Sequence, residues 1–328
     1  MGNLQIEVGR TIGGKPLLVD VHLLQGINII AGLKYTGKTQ LVKSILRQFA
    51  EKKVGCMVLD TEGLYTAPDP RGADELVTLR PGVELRLPSS ALDTNTLLDV
   101  MEIIGLNDVA LGVLFEKIQA IGERDVSIDK LRTAMREEQP AIRGQINRGL
   151  ELLERTKLIA DEALTEAVTD LREMIVGRLN EGRVLAIDFT GMGRMEIRIA
   201  LRLLMTDVRL FESGKLKPLF LFAKEVHTYV NETDLEDFVL RTSRLGLWQF
   251  YVTNMPLELP GFVVRRADNL FCFYLGLQED IRHLAPAARM NVDAFQKTVS
   301  ALTRRQFLAA GRATDDEPLI LQVEHGSR

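Results

Sequence analysis

The stretch INIIAGLKYTGKT, residues 27–39, restricts the fold more than any other part of the chain. INIIAG (27–32) reads as a short buried strand ending in glycine. KTQLVKSILRQFAEK (38–52) carries apolar residues at 41, 42, 45, 46 and 49, a helical period. GCMVLD (55–60) is a second apolar strand, ending in Asp60. Strand, loop, helix and strand in that order make a βαβ unit, which implies a parallel sheet with a right-handed crossover.

The loop inside this unit, Gly32-Leu33-Lys34-Tyr35-Thr36-Gly37-Lys38-Thr39, fits G-x-x-x-x-G-K-[ST] between a strand and a helix. Its residue types suit phosphate. Gly32 and Gly37 let the backbone fold back so that N–H groups face phosphate oxygens. Lys38 supplies a point charge to the β- and γ-phosphates, and Thr39 offers a hydroxyl to Mg²⁺. The helix N-terminus, where Gln40 continues the first turn, adds positive potential. The alternative is a glycine turn before a helix. No N-K-x-D guanine-reading signature occurs, so ATP is favoured over GTP.

The rest of the chain has room for one large α/β domain with an insertion. Its 328 residues are 46% hydrophobic and 26% charged, enough to bury a core. From about 91 to 181 strand signal nearly vanishes. LDTNTLLDVMEIIG, DVALGVLFEKIQAIG, SIDKLRTAMREE, PAIRGQINRGLELLERTK and DEALTEAVTDLREMIVGRLNEG each fit a helix. Asp125 or Ser127 opens one, Pro140 sits in the first turn of the next, and Gly182 ends the last. Residues 91–181 are therefore expected as a helical bundle inserted between 1–90 and 182–328, which form the α/β core. LLVDVHLL (17–24), RVLAIDF (183–189), LFLFA (219–223), LWQFYVT (247–253), NLFCFYL (269–275) and the tail EPLILQVEH read as strands. Helices are expected over 195–214, around 233–244 and over roughly 291–309.

The net charge of −4 gives no global basic field that would signal nucleic acid, although a ring can confine basic residues to its pore. Cys56 and Cys272 lie in apolar runs and read as core residues of a reducing compartment. MGNLQIEVGR has no apolar signal region, position 6 lacks the Ser or Thr of a myristoylation site, and no apolar run is long enough to span a bilayer. A soluble, cytoplasmic protein is expected.

Polar residues at the strand ends are the next candidates, because open α/β sheets bind ligands there. After LFLFA come Lys224, Glu225, Val226 and His227. Glu225 suits the base that orients an attacking water. Lys224 stands where an acid usually holds the metal's water shell. Either Mg²⁺ stays on Thr39 with another acid, Asp60 or Asp188, nearby, or Lys224 neutralises the phosphates without supporting catalysis. A third alternative is an ordinary edge strand. Asp60 and Asp188 suit a turn cap as well as a metal contact. Thr253 and Asn254 suit either a γ-phosphate contact or a strand-ending turn. Arg241 and Arg244 suit an arginine finger or a solvated surface, and His227 suits a bridge to Glu225 or to a neighbouring subunit, or plain packing.

In order along the chain these motifs resemble the HerA branch of the HerA/FtsK ATPases. GLKYTGKT resembles its Walker A motif, and VLDTEGLY its D-P-H-G-E-Y element, keeping Asp60, Gly63 and Tyr65. RVLAIDFTGM is similar to its I-D-L-S-G strand. KEVHTYV is similar to D-E-A-H-x-[FY], keeping Glu225 and His227. SRLGLWQFYVTNMPLELP resembles R-x-x-G-x-x-x-x-x-[TQ]-Q-x-P-x-x-L-P, with Asn254 in place of glutamine. The opening EVGRTIGGKPLLVDVHLL and the closing LTRRQFLAAGR…EPLILQV also resemble the family, so the likeness covers about 1–60 and 183–323.

The resemblance implies a RecA-like core, a homo-hexameric ring, ATP sites at subunit interfaces and double-stranded DNA moved through the pore. It implies catalytic roles for Glu225, Arg244 and Asn254. The family's N-terminal β-barrel is missing, which puts a NurA-type nuclease partner in doubt. GMGRMEIR (191–198) is either a pore loop offering Arg194 and Arg198 to phosphates or an ordinary βα turn. Lys224 also favours a rival, a ring-forming scaffold that binds ATP without efficient turnover. A small-molecule kinase is a more distant one.

Overall fold

A computed structural model describes residues 4–65, 76–88, 93–160, 171–205, 217, 219–230, 235–236, 239 and 246–323. In chain order its first elements are β1 (Gln5–Thr11), β2 (Pro16–Asp20), β3 (Ile27–Ala31), α1 (Lys38–Glu51), β4 (Cys56–Asp60), β5 (Leu76–Leu79) and β6 (Leu87–Pro88). Next come α2 (Thr94–Ile104), α3 (Asp108–Ile121), α4 (Ile128–Ala134), α5 (Pro140–Arg155), β7 (Ile159–Ala160), α6 (Leu171–Asn180), β8 (Val184–Asp188) and α7 (Arg194–Met205). The last are β9 (Leu219–Lys224), β10 (Leu247–Thr253), α8 (Gly261–Arg265), β11 (Asn269–Cys272), α9 (Gln278–Ala288), α10 (Val292–Val299), β12 (Gln306–Gly311) and β13 (Leu319–Gln322).

Two compact units emerge: Met1–Thr78 with Arg178–Ala186 and Phe211–Arg328, and Leu79–Gly177 with Ile187–Leu210. The first is built on an 11-stranded sheet in the order β2-β1-β13-β12-β11-β3-β10-β9-β4-β8-β5. The strands β11, β3, β10, β9 and β4 run parallel to one another. The strands β2, β1, β13 and β12 add an antiparallel half. Apolar runs make this pattern: β3 and β9 are buried along their whole length, as strands covered on both faces must be. The α1 helix buries Leu41, Val42, Ile45, Leu46 and Phe49 against the sheet. Phe49, Phe220, Phe222 and Phe250 form an aromatic stack at the centre, with Phe222 and Phe250 parallel at 4.3 Å.

One polar residue interrupts β3. Asn28 is fully buried, donates to the carbonyls of Leu24 (2.8 Å) and Gln249 (3.1 Å), and accepts from Asn269 at 2.8 Å. A satisfied buried amide of this kind fixes the register of β10, β3 and β11, the three strands around the loop described below.

The second unit is helical, apart from the small pair β6–β7. Asp93, Asn107 and Ser127 cap α2, α3 and α4 by accepting from backbone N–H groups three residues on, and Pro140 opens α5. Ser127 rather than Asp125 is therefore the cap. The helix α2 packs on α3, α5 and α7, burying Leu97, Val100, Met101, Leu150, Ile199 and Leu203.

Two expectations change. The strand over 17–24 ends at Asp20, whose side chain accepts from the His22 N–H and starts a 3₁₀ turn over Val21–Leu24. The helix expected over 291–309 stops at Val299, and Gln306–Gly311 is the strand β12. Its run FLAAG is continuous in apolarity, so spacing alone cannot separate strand from helix, and pairing between β11 and β13 decides. The strand β1 and the helix α9 were not anticipated. The helix expected around 233–244 lies mostly outside the described residues.

Candidate functional site

The phosphate-type loop and the ends of β4, β9 and β10 belong to the first unit. Residues 32–37 link β3 to α1 and are wedged between two neighbouring segments. Leu33 N–H donates to the Tyr274 carbonyl at 3.0 Å, and Arg305 N–H donates to the Thr36 carbonyl at 2.7 Å. Gly32 and Gly37 take φ of 144° and 128°, and a Cβ on either would run into the Phe273 side chain at 2.6 or 2.9 Å. Tyr35 also adopts a positive φ, 65°, and is 89% exposed at the tip. Lys34 and Gln40 are exposed, while Thr36 and Thr39 are half-buried.

Lys38 is buried and donates to the carbonyls of Gly32 (2.6 Å) and Leu33 (2.7 Å). Burial pushes its ammonium down to about 8 from 10.5; the Glu225 carboxylate opposes this and the Lys224 ammonium adds to it. These side chains therefore share one electrostatic neighbourhood, which Glu62 and Cys272 also enter. The Cys272 thiol is pushed up by burial, and no disulfide joins it to Cys56, as a core reading requires.

Glu225 follows the last residue of β9, in the left-handed region at φ 48°. That turn aims its carboxylate at the end of β10, the strand lying between β9 and β3. Oε2 accepts from the Thr253 hydroxyl at 2.9 Å and Oε1 from the Asn254 N–H at 2.8 Å. Thr253 and Asn254 thus hold Glu225; the Asn254 contribution comes from its backbone. The Nδ1 of His227 lies 3.8 Å from Glu225 Oε2, too far for a hydrogen bond. The buried Tyr229 hydroxyl, whose titration is pushed upward by burial and then by Glu225, has no hydrogen-bond partner among the described residues.

Lys224 is buried and forms an ion pair with Glu62, on the turn after β4. Asp60 is fully buried, and its carboxylate accepts from the N–H groups of Glu62 (3.2 Å) and Tyr65 (2.7 Å). It caps that turn, one of the two roles that its position at a strand end allowed, the other being a metal contact. In the second unit, Asp188 does the same by accepting from the Thr190 N–H at 2.9 Å. Arg241 and Arg244 lie outside the described residues, and Arg194 begins α7 of the second unit.

Mg²⁺ was expected on Thr39. Beyond that hydroxyl, the surroundings do not suit a divalent cation. Lys224 occupies the end of β9, Asp60 is consumed by backbone donors, and both Glu225 oxygens are engaged. No group of three or more His, Cys, Asp or Glu side chains that could hold a metal occurs among the described residues.

The family described as the central domain of the helicase HerA matches residues 27–208, more than half of the chain. The protein belongs to this family. The match begins at β3 and takes in the phosphate-type loop, β4 and the helical segment. Two solved structures share the fold of the HerA-family chain. VirB4 of Thermoanaerobacter pseudethanolicus aligns over 98% of this chain and 96% of its own, at 13% identity and a TM-score of 0.68. The bacterial conjugative coupling protein TrwBdeltaN70 aligns over 97% of this chain and 88% of its own, at 13% identity and a TM-score of 0.64. Both likenesses are of the mixed α/β fold built on a mainly parallel sheet. None of the curated proteins matches the sequence. No described helix is long and apolar enough to cross a membrane.

Sequence reasoning overlooked Glu62. The signal was present in Lys224 itself: a buried ammonium at a strand end requires a counter-charge, and the turn after the neighbouring strand β4 is the nearest place to find one.

Proposed function

We propose that the protein is an ATP-driven motor of the HerA type, which assembles into a homo-hexameric ring in the cytoplasm and moves double-stranded DNA through its pore. One observation carries this reading. The carboxylate of Glu225 is fixed at the end of β9 by Thr253 and Asn254, within electrostatic reach of Lys38. A fixed acid beside a phosphate loop is what positions a water for attack on a γ-phosphate.

In this reading the loop residues Gly32, Leu33, Lys34, Tyr35, Thr36, Gly37, Lys38, Thr39 and Gln40 wrap the triphosphate. Lys38 exchanges its two carbonyl partners for phosphate oxygens. Glu225 orients the water, Asn254 and Thr253 keep Glu225 in place, and Arg244 reaches a neighbouring subunit's nucleotide as a finger. Thr39 offers its hydroxyl to Mg²⁺, and no step depends on that ion. Residues 91–181 form the inserted bundle. Support for a purine triphosphate also comes from the plasmid coupling protein TrwB, whose solved complex with the GTP analogue GDPNP has the same fold at 12% identity and a TM-score of 0.60.

The Lys224–Glu62 pair favours a second reading, a ring subunit that binds ATP and turns it over poorly. Phosphate release measured with and without duplex DNA, alongside the mass of the assembly by light scattering, separates the two. DNA-stimulated release from a hexamer supports the motor. Tight ATP binding with no release, in either condition, overturns it in favour of the scaffold. If the lysine is what limits turnover, Lys224→Asp raises phosphate release.

A further inference from the structure

Two lysines lie near the ends of strands that flank a common neighbour in the sheet. Lys38 opens α1 after β3 and Lys224 ends β9; β10 lies between these strands, and its end holds Glu225, the residue that follows Lys224. The Lys224 side chain is 6% exposed, whereas its partner Glu62 is 47% exposed. A buried ammonium needs a counter-ion, and Glu62 supplies one from the solvent side. Glu225 cannot take over that role cheaply, because both its oxygens are already bound at the end of β10.

We infer that Lys224 is a second phosphate-binding cation, and that the protein therefore holds nucleoside triphosphates largely without a divalent metal ion. This rests on the loop over 32–39 being the nucleotide site. The charge balance is the argument. A triphosphate brings several negative charges, which an acid-and-metal site neutralises by gathering Mg²⁺ and its water shell. At this strand end a fixed positive charge repels such an ion and attracts the phosphates directly. Glu62 is the exchangeable counter-ion. It gives up Lys224 to phosphate and turns to water at little cost, because it is half-exposed.

The test is a calorimetric titration of the full chain with ATP, once with Mg²⁺ and once with excess EDTA. The wild-type Kd should differ by less than about threefold between the two conditions, because charge-assisted phosphate bonds replace the metal. Lys224→Met, close in volume, should weaken binding in EDTA by at least about tenfold, the loss of one such bond. Glu62→Gln, at a half-exposed position, should tighten binding in EDTA by a few-fold by removing the competitor. Wild-type binding seen only with Mg²⁺ overturns the inference and leaves the loop assignment standing. Unchanged affinity of both variants in EDTA also overturns it. Absence of binding in either condition, from a chain with a native circular dichroism spectrum, overturns the loop assignment itself.

Discussion

The hydroxyl of Thr253 donates to Glu225 Oε2 at 2.9 Å, joining the ends of two adjacent parallel strands. The Glu225 backbone is in the left-handed region, a conformation that costs a non-glycine residue about 1 kcal/mol or more. The contacts at the end of β10 hold it there.

Glu225→Gln should reduce phosphate release by at least about a hundredfold, the usual contribution of a positioned base, while leaving ATP affinity within a few-fold. Thr253→Val should act in the same direction and more weakly, about tenfold on kcat, because the Asn254 N–H still anchors the other oxygen. Single-turnover kinetics read both. An unchanged rate in Glu225→Gln removes the base from the mechanism.

Lys38 gives a pH signature. Its ammonium sits at about 8, below the ordinary 10.5. Below about 8 both folded and unfolded chains carry the proton, and the full cost of burying it is present. Between about 8 and 10.5 only the unfolded chain carries it, so this residue's contribution to stability improves as pH rises through that window. Nucleotide binding should run the other way. Phosphate binds the charged form, so ATP affinity falls above pH 8, by up to about tenfold per pH unit, and binding takes up a proton. Calorimetry at pH 8.5 in buffers of different ionisation enthalpy measures that uptake, and Lys38→Ala should abolish the binding.

Gly32→Ala should be strongly destabilising, by about 2 kcal/mol or more, through both its φ of 144° and the approach of its Cβ to the Phe273 side chain at 2.6 Å. Chemical denaturation gives the number. A variant as stable as wild type would mean that the loop relaxes freely, which its ties to Tyr274 and Arg305 argue against.

Phe250→Ala should cost about 3–5 kcal/mol, since it opens a cavity under Phe222 in the aromatic stack. The midpoint of urea unfolding should fall accordingly. A loss under about 1 kcal/mol would indicate that the neighbouring rings collapse into the space.

The sequence made the parallel half of the sheet plain, because β4 and β9 are apolar runs ending in a polar residue, β3 and β10 are apolar but for the buried amides Asn28 and Gln249, and the glycine and lysine spacing of the loop has one good structural context. The antiparallel half was harder to see. The strand β12 is apolar on both faces, and β1 has a shifted register at Glu7–Gly9 that blurs its alternation. At the site, Glu225 and Lys38 could be read from spacing alone. What holds Glu225 could not, since a side chain on β10 and one on β9 meet only once the strands pair in register. The same holds for Glu62 and Lys224.

The pairing of β1 with β13 sets Arg10 opposite Gln322. The chain must emerge from the ribosome as far as Gln322 before that ladder can close. Until then β1 and β2 present an unpaired edge, and the Arg305 N–H that braces the phosphate-type loop has not yet been synthesised. Competence for ligand should thus arrive late in translation, and a nascent chain stalled before residue 300 should need protection by a chaperone.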